Sequence, residues 1–187
     1  MKRSLGAYAA ILGVLASLLV SVGLVAAPAA QARCIPANDV WTIYKFKDRV
    51  TLYHPTNIAS DWVYWPHGGS ITYSKTATAE TNASVTATVE AEAGVIFAKA
   101  STSFGVSVGK SWSKSDSWSY TATVPKGTGY KYRLHMYHYS FTFKVMKKRW
   151  SSATCTYSSN VWSSWQTVRH APVKANSNIW RLDKRAV

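Results

Sequence analysis

Two stretches of this chain alternate in character at every second residue for more than twenty residues, and few folds accommodate that. Over 101–123 every odd position is small and polar or glycine, from Ser101, Ser103 and Gly105 to Ser119, Thr121 and Thr123. Over 70–94 the even positions do the same, from Ser70, Thr72 and Ser74 to Thr88, Glu90 and Glu92. A period of two is the pattern of a strand with two unlike faces. Ordinary strands run about 3–10 residues, and twenty-three residues would extend about 75 Å. No Pro, Asn-Gly or Asp-Gly interrupts either run, whereas a sandwich would need a turn every 8–12 residues or so. No sustained helical period stands out elsewhere. The expected fold is therefore all-β, an elongated, twisted antiparallel sheet with two very long Ser/Thr-rich strands.

The segment between the runs, 94–100, is Gly-Val-Ile-Phe-Ala-Lys-Ala. It is apolar where a soluble hairpin carries polar turn residues. Pairing the runs across this tip puts Val85, Val89, Phe104, Val106 and Val108 on one face, and Thr86, Thr88, Glu90, Ser103 and Ser107 on the other. Farther along, the apolar track reaches Lys110, Trp112, Lys114 and Trp118. A membrane-spanning β-hairpin has this form: about 9–11 residues per strand, apolar toward lipid, polar toward a lumen, aromatic and charged at the interface. Val95, Ile96 and Phe97 would then be the tip that crosses the bilayer. A half-buried sheet of any β-protein also alternates in this way. A single hairpin has unpaired edges, so insertion requires a closed oligomer.

The first 32 residues read as a secretory signal peptide. Lys2 and Arg3 precede an apolar stretch over 7–27, and Ala30-Gln31-Ala32 offers a small-x-small cleavage site. An uncleaved anchor is the alternative, disfavoured by Pro28 and by the cleavage site. Residues 33–187 are then expected to form one mature β domain, with 70–124 as its long strand pair. Charge enters here: 22 Lys plus Arg against 8 Asp plus Glu in 187 residues, and cleavage would remove only Lys2 and Arg3. With 47% apolar residues, the chain is not a disordered polycation. In an oxidising compartment Cys34 and Cys155 are expected to pair; free thiols or a catalytic Cys are the alternative.

The paired Ser/Thr-rich runs, the tip Glu92-Ala93-Gly94-Val95-Ile96-Phe97-Ala98-Lys99, the run Ser111-Trp112-Ser113-Lys114-Ser115-Asp116-Ser117-Trp118 and the strand end Thr121-Ala122-Thr123-Val124-Pro125 resemble the aerolysin-type β-pore-forming toxins, including the epsilon-toxin/mosquitocidal-toxin branch. The resemblance covers about residues 70–146. It implies secretion as a soluble monomer, surface binding, ring assembly and conversion of one amphipathic hairpin, about 84–110, into a barrel. A relative that keeps the fold without lysis fits it as well.

The flanks supply candidate recognition surfaces. Residues 40–47 and 50–54 read as strands joined near Asp48, and 130–145 as a further aromatic strand. Trp62 and Trp65 sit in an aromatic turn before the first long run. With Lys110, Trp112, Lys114 and Trp118 they are the expected surface-binding set, since exposed rings stack on sugars or sit at a membrane interface and nearby cations hold anionic groups. Most other rings are expected in the core. No His-Glu-x-x-His, Gly-x-Ser-x-Gly, phosphate loop or Cys-x-x-Cys occurs. Glu90 and Glu92 could pair as acid and base, but a lumen-facing track needs no such role. His135 and His138 are expected on opposite strand faces, which argues against a shared metal. No catalytic residue, metal ligand or cofactor is therefore expected. The leading expectation is a secreted, non-enzymatic pore former whose partners are membrane lipid or cell-surface glycan and copies of itself. The first alternative is a secreted β module binding glycans or an anionic surface, the second a small secreted hydrolase. Scattered bases among much Ser/Thr surface leave no specific nucleic-acid footprint.

Overall fold

The computed structural model describes residues 34–187; the expected leader, 1–32, lies outside them. The described chain is all-β and antiparallel, with strands β1 (Thr42–Ala59), β2 (Gly69–Asn82), β3 (Ser111–Val124), β4 (Tyr130–Ser151), β5 (Thr156–Asn160), β6 (Gln166–Pro172) and β7 (Asn178–Ala186). Two helices, α1 (Ala87–Glu90) and α2 (Ala93–Phe104), separate β2 from β3.

The longest strands are β4, with 22 residues, and β1, with 18. β4 is the centre of the main sheet. β1 covers one of its edges, and β7, β6 and β5 follow one another along the other. The two strands expected at 40–54 are one: Asp48 takes a left-handed φ of 54° and forms a bulge between Lys47 and Val50, and pairing with β4 resumes beyond it. Asp48 also pairs with Lys144 across the ladder at 2.9 Å.

β2 and β3 form a separate two-stranded ladder of 14 residues each, in unbroken register from Gly69 opposite Val124 to Asn82 opposite Ser111. Its polar face is laced by hydroxyl pairs: Thr72 with Thr121, Thr76 with Ser117 and Thr78 with Ser115, at 2.6–2.9 Å. Its apolar face lies on β4, where Ile71, Tyr73, Ala79, Trp112 and Val124 share a core with Tyr132, Leu134 and Met136. Even-numbered side chains of β4 face the hairpin here, so odd-numbered ones face the other way.

Cys34 and Cys155 are disulfide-bonded, with Cα atoms 5.5 Å apart. The bond joins the start of the described chain to the β4–β5 turn. Closing a loop of 121 residues stabilises by about 4–5 kcal/mol in the chain-entropy account.

The long alternating runs end earlier than expected. The ladder stops at Asn82 and Ser111, and 83–110 forms a helical cap instead of more strand. Two features of the residues explain the difference. The segment carries six alanines, the best helix formers. Ala93, Ile96, Phe97, Ala100 and Phe104 also fall at helical spacing, i, i+3, i+4, i+7 and i+11, which presents one apolar stripe. Gly105 ends α2 in the left-handed conformation, φ 69°, that favours glycine.

Candidate functional site

The cap over 83–110 joins most of the expected hairpin residues in one place. Val89, Ile96, Phe97, Ala100 and Val108 are buried in a core with Phe141, Phe143 and Val145 of β4 and Val168 and Ala171 of β6. Val85, Phe104 and Val106 are half-buried around it. Phe104 packs its ring against Phe46, Phe141 and Phe143 at centroid distances of 5.1–5.8 Å. Val95 is instead 52% exposed, beside a notch it lines with Val40, Ile43 and Tyr44. The expected tip, 95–97, is thus a turn of α2. Burying Val89, Ile96, Phe97 and Val108 contributes about 6–12 kcal/mol.

The cap is tied down at its two ends by β6. The ladder continues for one more bond, Ala83 N–H donating to the Lys110 carbonyl at 2.7 Å. Ser84 then turns to β6 and exchanges backbone bonds with Arg169 at 2.8 and 2.9 Å. On the return side, Gly109 N–H donates to the Pro172 carbonyl and Lys174 N–H to the Ser107 carbonyl. Thr86 adds a hydroxyl bond to the Gln166 side chain at 2.9 Å.

A third tie holds the junction of α1 and α2. The Glu92 carboxylate accepts from the Tyr44 hydroxyl on β1 and from Lys147 Nζ on β4, the latter at 2.8 Å. Burial works against the charge of Glu92, but the bonds from Lys147 and Tyr44 outweigh it and hold the carboxyl below its ordinary value of 4.5. Burial, and then the same bond, push the Tyr44 hydroxyl up. Glu90 meanwhile pairs with Lys110 across the mouth of the cap.

Beside the β6 tie, His54 and His170 stack face to face, with ring centroids 3.8 Å apart and planes 8° from parallel. His170 directly follows Arg169, the partner of Ser84. Burial lowers both imidazoles below 6.5, assisted by the charge of His170 on His54 and of Arg169 on His170. His138, opposite His54 in the β1–β4 ladder, is fully buried, with Nε2 2.7 Å from the Val173 carbonyl and Nδ1 2.6 Å from Asn178 Oδ1, and stacks on Trp112 at 4.0 Å.

The shifts of His54, His170 and Glu92 have one sign. A His whose folded value is depressed contributes stability that is complete above 6.5 and lost as pH falls through the folded value. Glu92 adds a second loss below its ordinary 4.5. The melting temperature is therefore expected to fall between roughly pH 7 and pH 5 and again at lower pH. His170→Asn, which tolerates the positive φ of 58°, should flatten the first decline. A flat profile for the unchanged protein would refute this account of the stack.

The expected surface-binding residues divide. Trp65 is exposed and lies so close over Gly69 that a Cβ there would meet its ring at 2.6 Å. Trp62 lies under the guanidinium groups of Arg133 and Arg185. Lys114 pairs with Asp116 at 2.7 Å and sits over Trp118, whose half-buried indole donates to the Ala77 carbonyl. Trp112 is not at the surface: it is 6% exposed, because the track it belongs to is covered by β4. His135 and His138 do occupy opposite faces, and no group of three metal-ligating side chains occurs among the described residues.

Sequence reasoning missed the ties at Glu92, at Ser84 and Arg169, and at His54 and His170. Only Glu92 carried a signal, as one of eight acids in a long neutral run. No helix among the described residues is long and apolar enough to cross a membrane, which says nothing of strands. No protein-family model, curated protein or solved structure matches this chain.

Proposed function

We propose that this chain is a secreted, non-enzymatic, membrane-acting β-pore former that stores its membrane-spanning hairpin as the helical cap 83–110. One observation supports the reading: the in-register β2–β3 ladder ends at Asn82 and Ser111, and the two-residue alternation of the sequence runs on from there into the cap. Continuing the ladder past Ala83 and Lys110 places Val85 opposite Val108, Ala87 opposite Val106, Val89 opposite Phe104, Ala93 opposite Ala100 and Val95 opposite Ala98. All of these fall on the face that Ile71, Tyr73, Ala79 and Trp112 already make apolar. Thr86, Thr88, Glu90 and Glu92, with Ser101, Ser103 and Ser107, continue the hydroxyl-lined face.

Each added arm, 85–95 and 98–108, has the length that crosses a bilayer as a tilted strand. The same residues therefore satisfy two structures, a helical cap packed on Phe141, Phe143 and Val145, and an amphipathic hairpin facing lipid. In water the hairpin would expose the apolar surface that the cap buries, so the cap prevails. A membrane offers that surface another solvent, and a ring of copies pairs the hairpin edges. Release requires the β6 ties and the Glu92 tie to break. Secretion belongs to the reading: the disulfide suits an oxidising compartment, and the first 32 residues have the form of a leader.

The test is dye release from lipid vesicles together with electrophoresis of the recovered protein. Release accompanied by large, heat- or detergent-resistant oligomers is the expected result. Neither release nor oligomers across vesicles of varied lipid composition and surface glycan would remove the reading.

A further inference from the structure

The face of β4 and β7 turned away from the hairpin concentrates cations that the cap does not use. Lys131, Arg133, His135 and Tyr137 come from β4, and Arg181, Asp183 and Arg185 from β7 beside them. The arginines lie over aromatic rings. Arg133 and Arg185 lie over Trp62 at 4.6 and 4.5 Å, and Arg181 over Tyr137 at 4.9 Å and Tyr53 at 5.7 Å.

The one carboxylate of this face is already occupied. Asp183 accepts from the Tyr137 hydroxyl at 2.7 Å, lies 2.8 Å from His135 Nδ1 and pairs with Arg133 at 3.4 Å. Lys131, Arg181 and Arg185 have no carboxylate within ion-pair distance among the described residues, and both arginines are exposed. Arg181 and Arg185, four residues apart on one strand face, stand about 13 Å apart. The result is a row of guanidinium forks, and such forks take two oxygens of a sulfate, carboxylate or phosphate at once.

We infer that the β4–β7 face formed by Lys131, Arg133, Arg181 and Arg185 over Trp62, Tyr53 and Tyr137 binds an anionic polysaccharide bearing sulfate or uronate groups. The inference rests on the proposed function for its setting, the outside of a cell, and names the partner that would gather the protein there. Two observations choose this partner. The cap sits over the far half of β4, at 141–147, and the hairpin ladder runs toward it from the 130–134 end, so lengthening moves the tip away from this face. Lipid headgroups under an inserted hairpin would not reach it, whereas a polymer projecting from the surface would. Each of these rings also has a guanidinium over it, so a nucleobase would have to displace that contact to stack.

The test is titration of the purified protein with heparin, as a sulfated polysaccharide, in physiological salt. Arg181→Glu/Arg185→Glu is compared with Lys45→Glu/Lys47→Glu, which makes the same charge change on β1. The arginine variant should bind about 30-fold more weakly and the lysine variant within about threefold of the unchanged protein. Arg181→Gln/Arg185→Gln, if the reversal lowers the melting temperature, should lose about tenfold. Equal losses in both charge reversals would show attraction to net charge alone and overturn the site. So would unchanged binding in the arginine variants, no binding by the unchanged protein, or arginine-dependent retention of single-stranded nucleic acid in place of heparin. Dye release by the unchanged protein from vesicles without glycan is measured separately, so loss of the pore reading and loss of this site are distinct results.

Discussion

A cysteine pair at Ser84 and Arg169 is expected to abolish dye release when oxidised and to restore it on reduction. The two residues exchange both backbone bonds between β2's extension and β6. They therefore form a hydrogen-bonded antiparallel pair, whose Cα atoms stand about 5.5 Å apart, within the range a disulfide spans. Both positions are exposed, so the substitutions leave the core untouched. The proposed release lifts the chain beyond Ala83 off β6, and the Ser84–Arg169 pair is the first of its contacts with that strand. A covalent bond at that point holds the entry of the cap on β6, while the folded cap is unaffected and surface binding persists. Reductant also acts on Cys34–Cys155, so the unchanged protein in the same reductant is the reference. Release by the oxidised variant at the rate of the unchanged protein would sink the hairpin mechanism, whatever else the protein does to membranes.

That same junction marks where the sequence stops being legible. Alternation correctly groups Ile71, Tyr73 and Ala79 on one track and Thr72, Thr76 and Thr78 on the other, because a half-buried ladder admits no other sorting. It also groups Trp112 and Trp118 with the apolar track. Its error there concerns the environment: β4 covers Trp112, and nothing local to 111–124 could announce that His138 stacks on it.

Within 83–110 the difficulty is of another kind. The spacing of Ala93, Ile96, Phe97, Ala100 and Phe104 serves a helix, while Val85, Val89, Phe104, Val106 and Val108 serve a strand. Local preference is balanced, and the choice falls to Phe141, Phe143 and Val145, forty residues or so downstream. The cationic face was hidden for a similar reason. Trp62, Arg133 and Arg185 come from three separate segments, brought together by the β4–β7 register and by the bridge of Val63 to Tyr132.

A charge placed on one face of the cap should separate the cap from the proposed hairpin. Ala91 is exposed at the end of α1, in right-handed helical conformation, so Ala91→Arg should change the stability of the soluble form by no more than about 0.5 kcal/mol. In the lengthened ladder Ala91 lies opposite Thr102 on the lipid track, midway along the 85–95 arm. An arginine at that depth costs about 2–4 kcal/mol in each copy, and every copy in a ring carries it. Dye release is expected to fall by about tenfold or more per copy, with the melting temperature unchanged. Thr88→Arg is the matching control. Thr88 is also exposed on α1, only three residues away, but the ladder puts it on the hydroxyl-lined face, where a charge meets water. In a helix these two positions are near neighbours on one surface, and in a hairpin they are on opposite faces. Release that survives Thr88→Arg and fails with Ala91→Arg therefore reports strand geometry in the active state. Equal effects of the two variants would mean that 83–110 does not act as a hairpin.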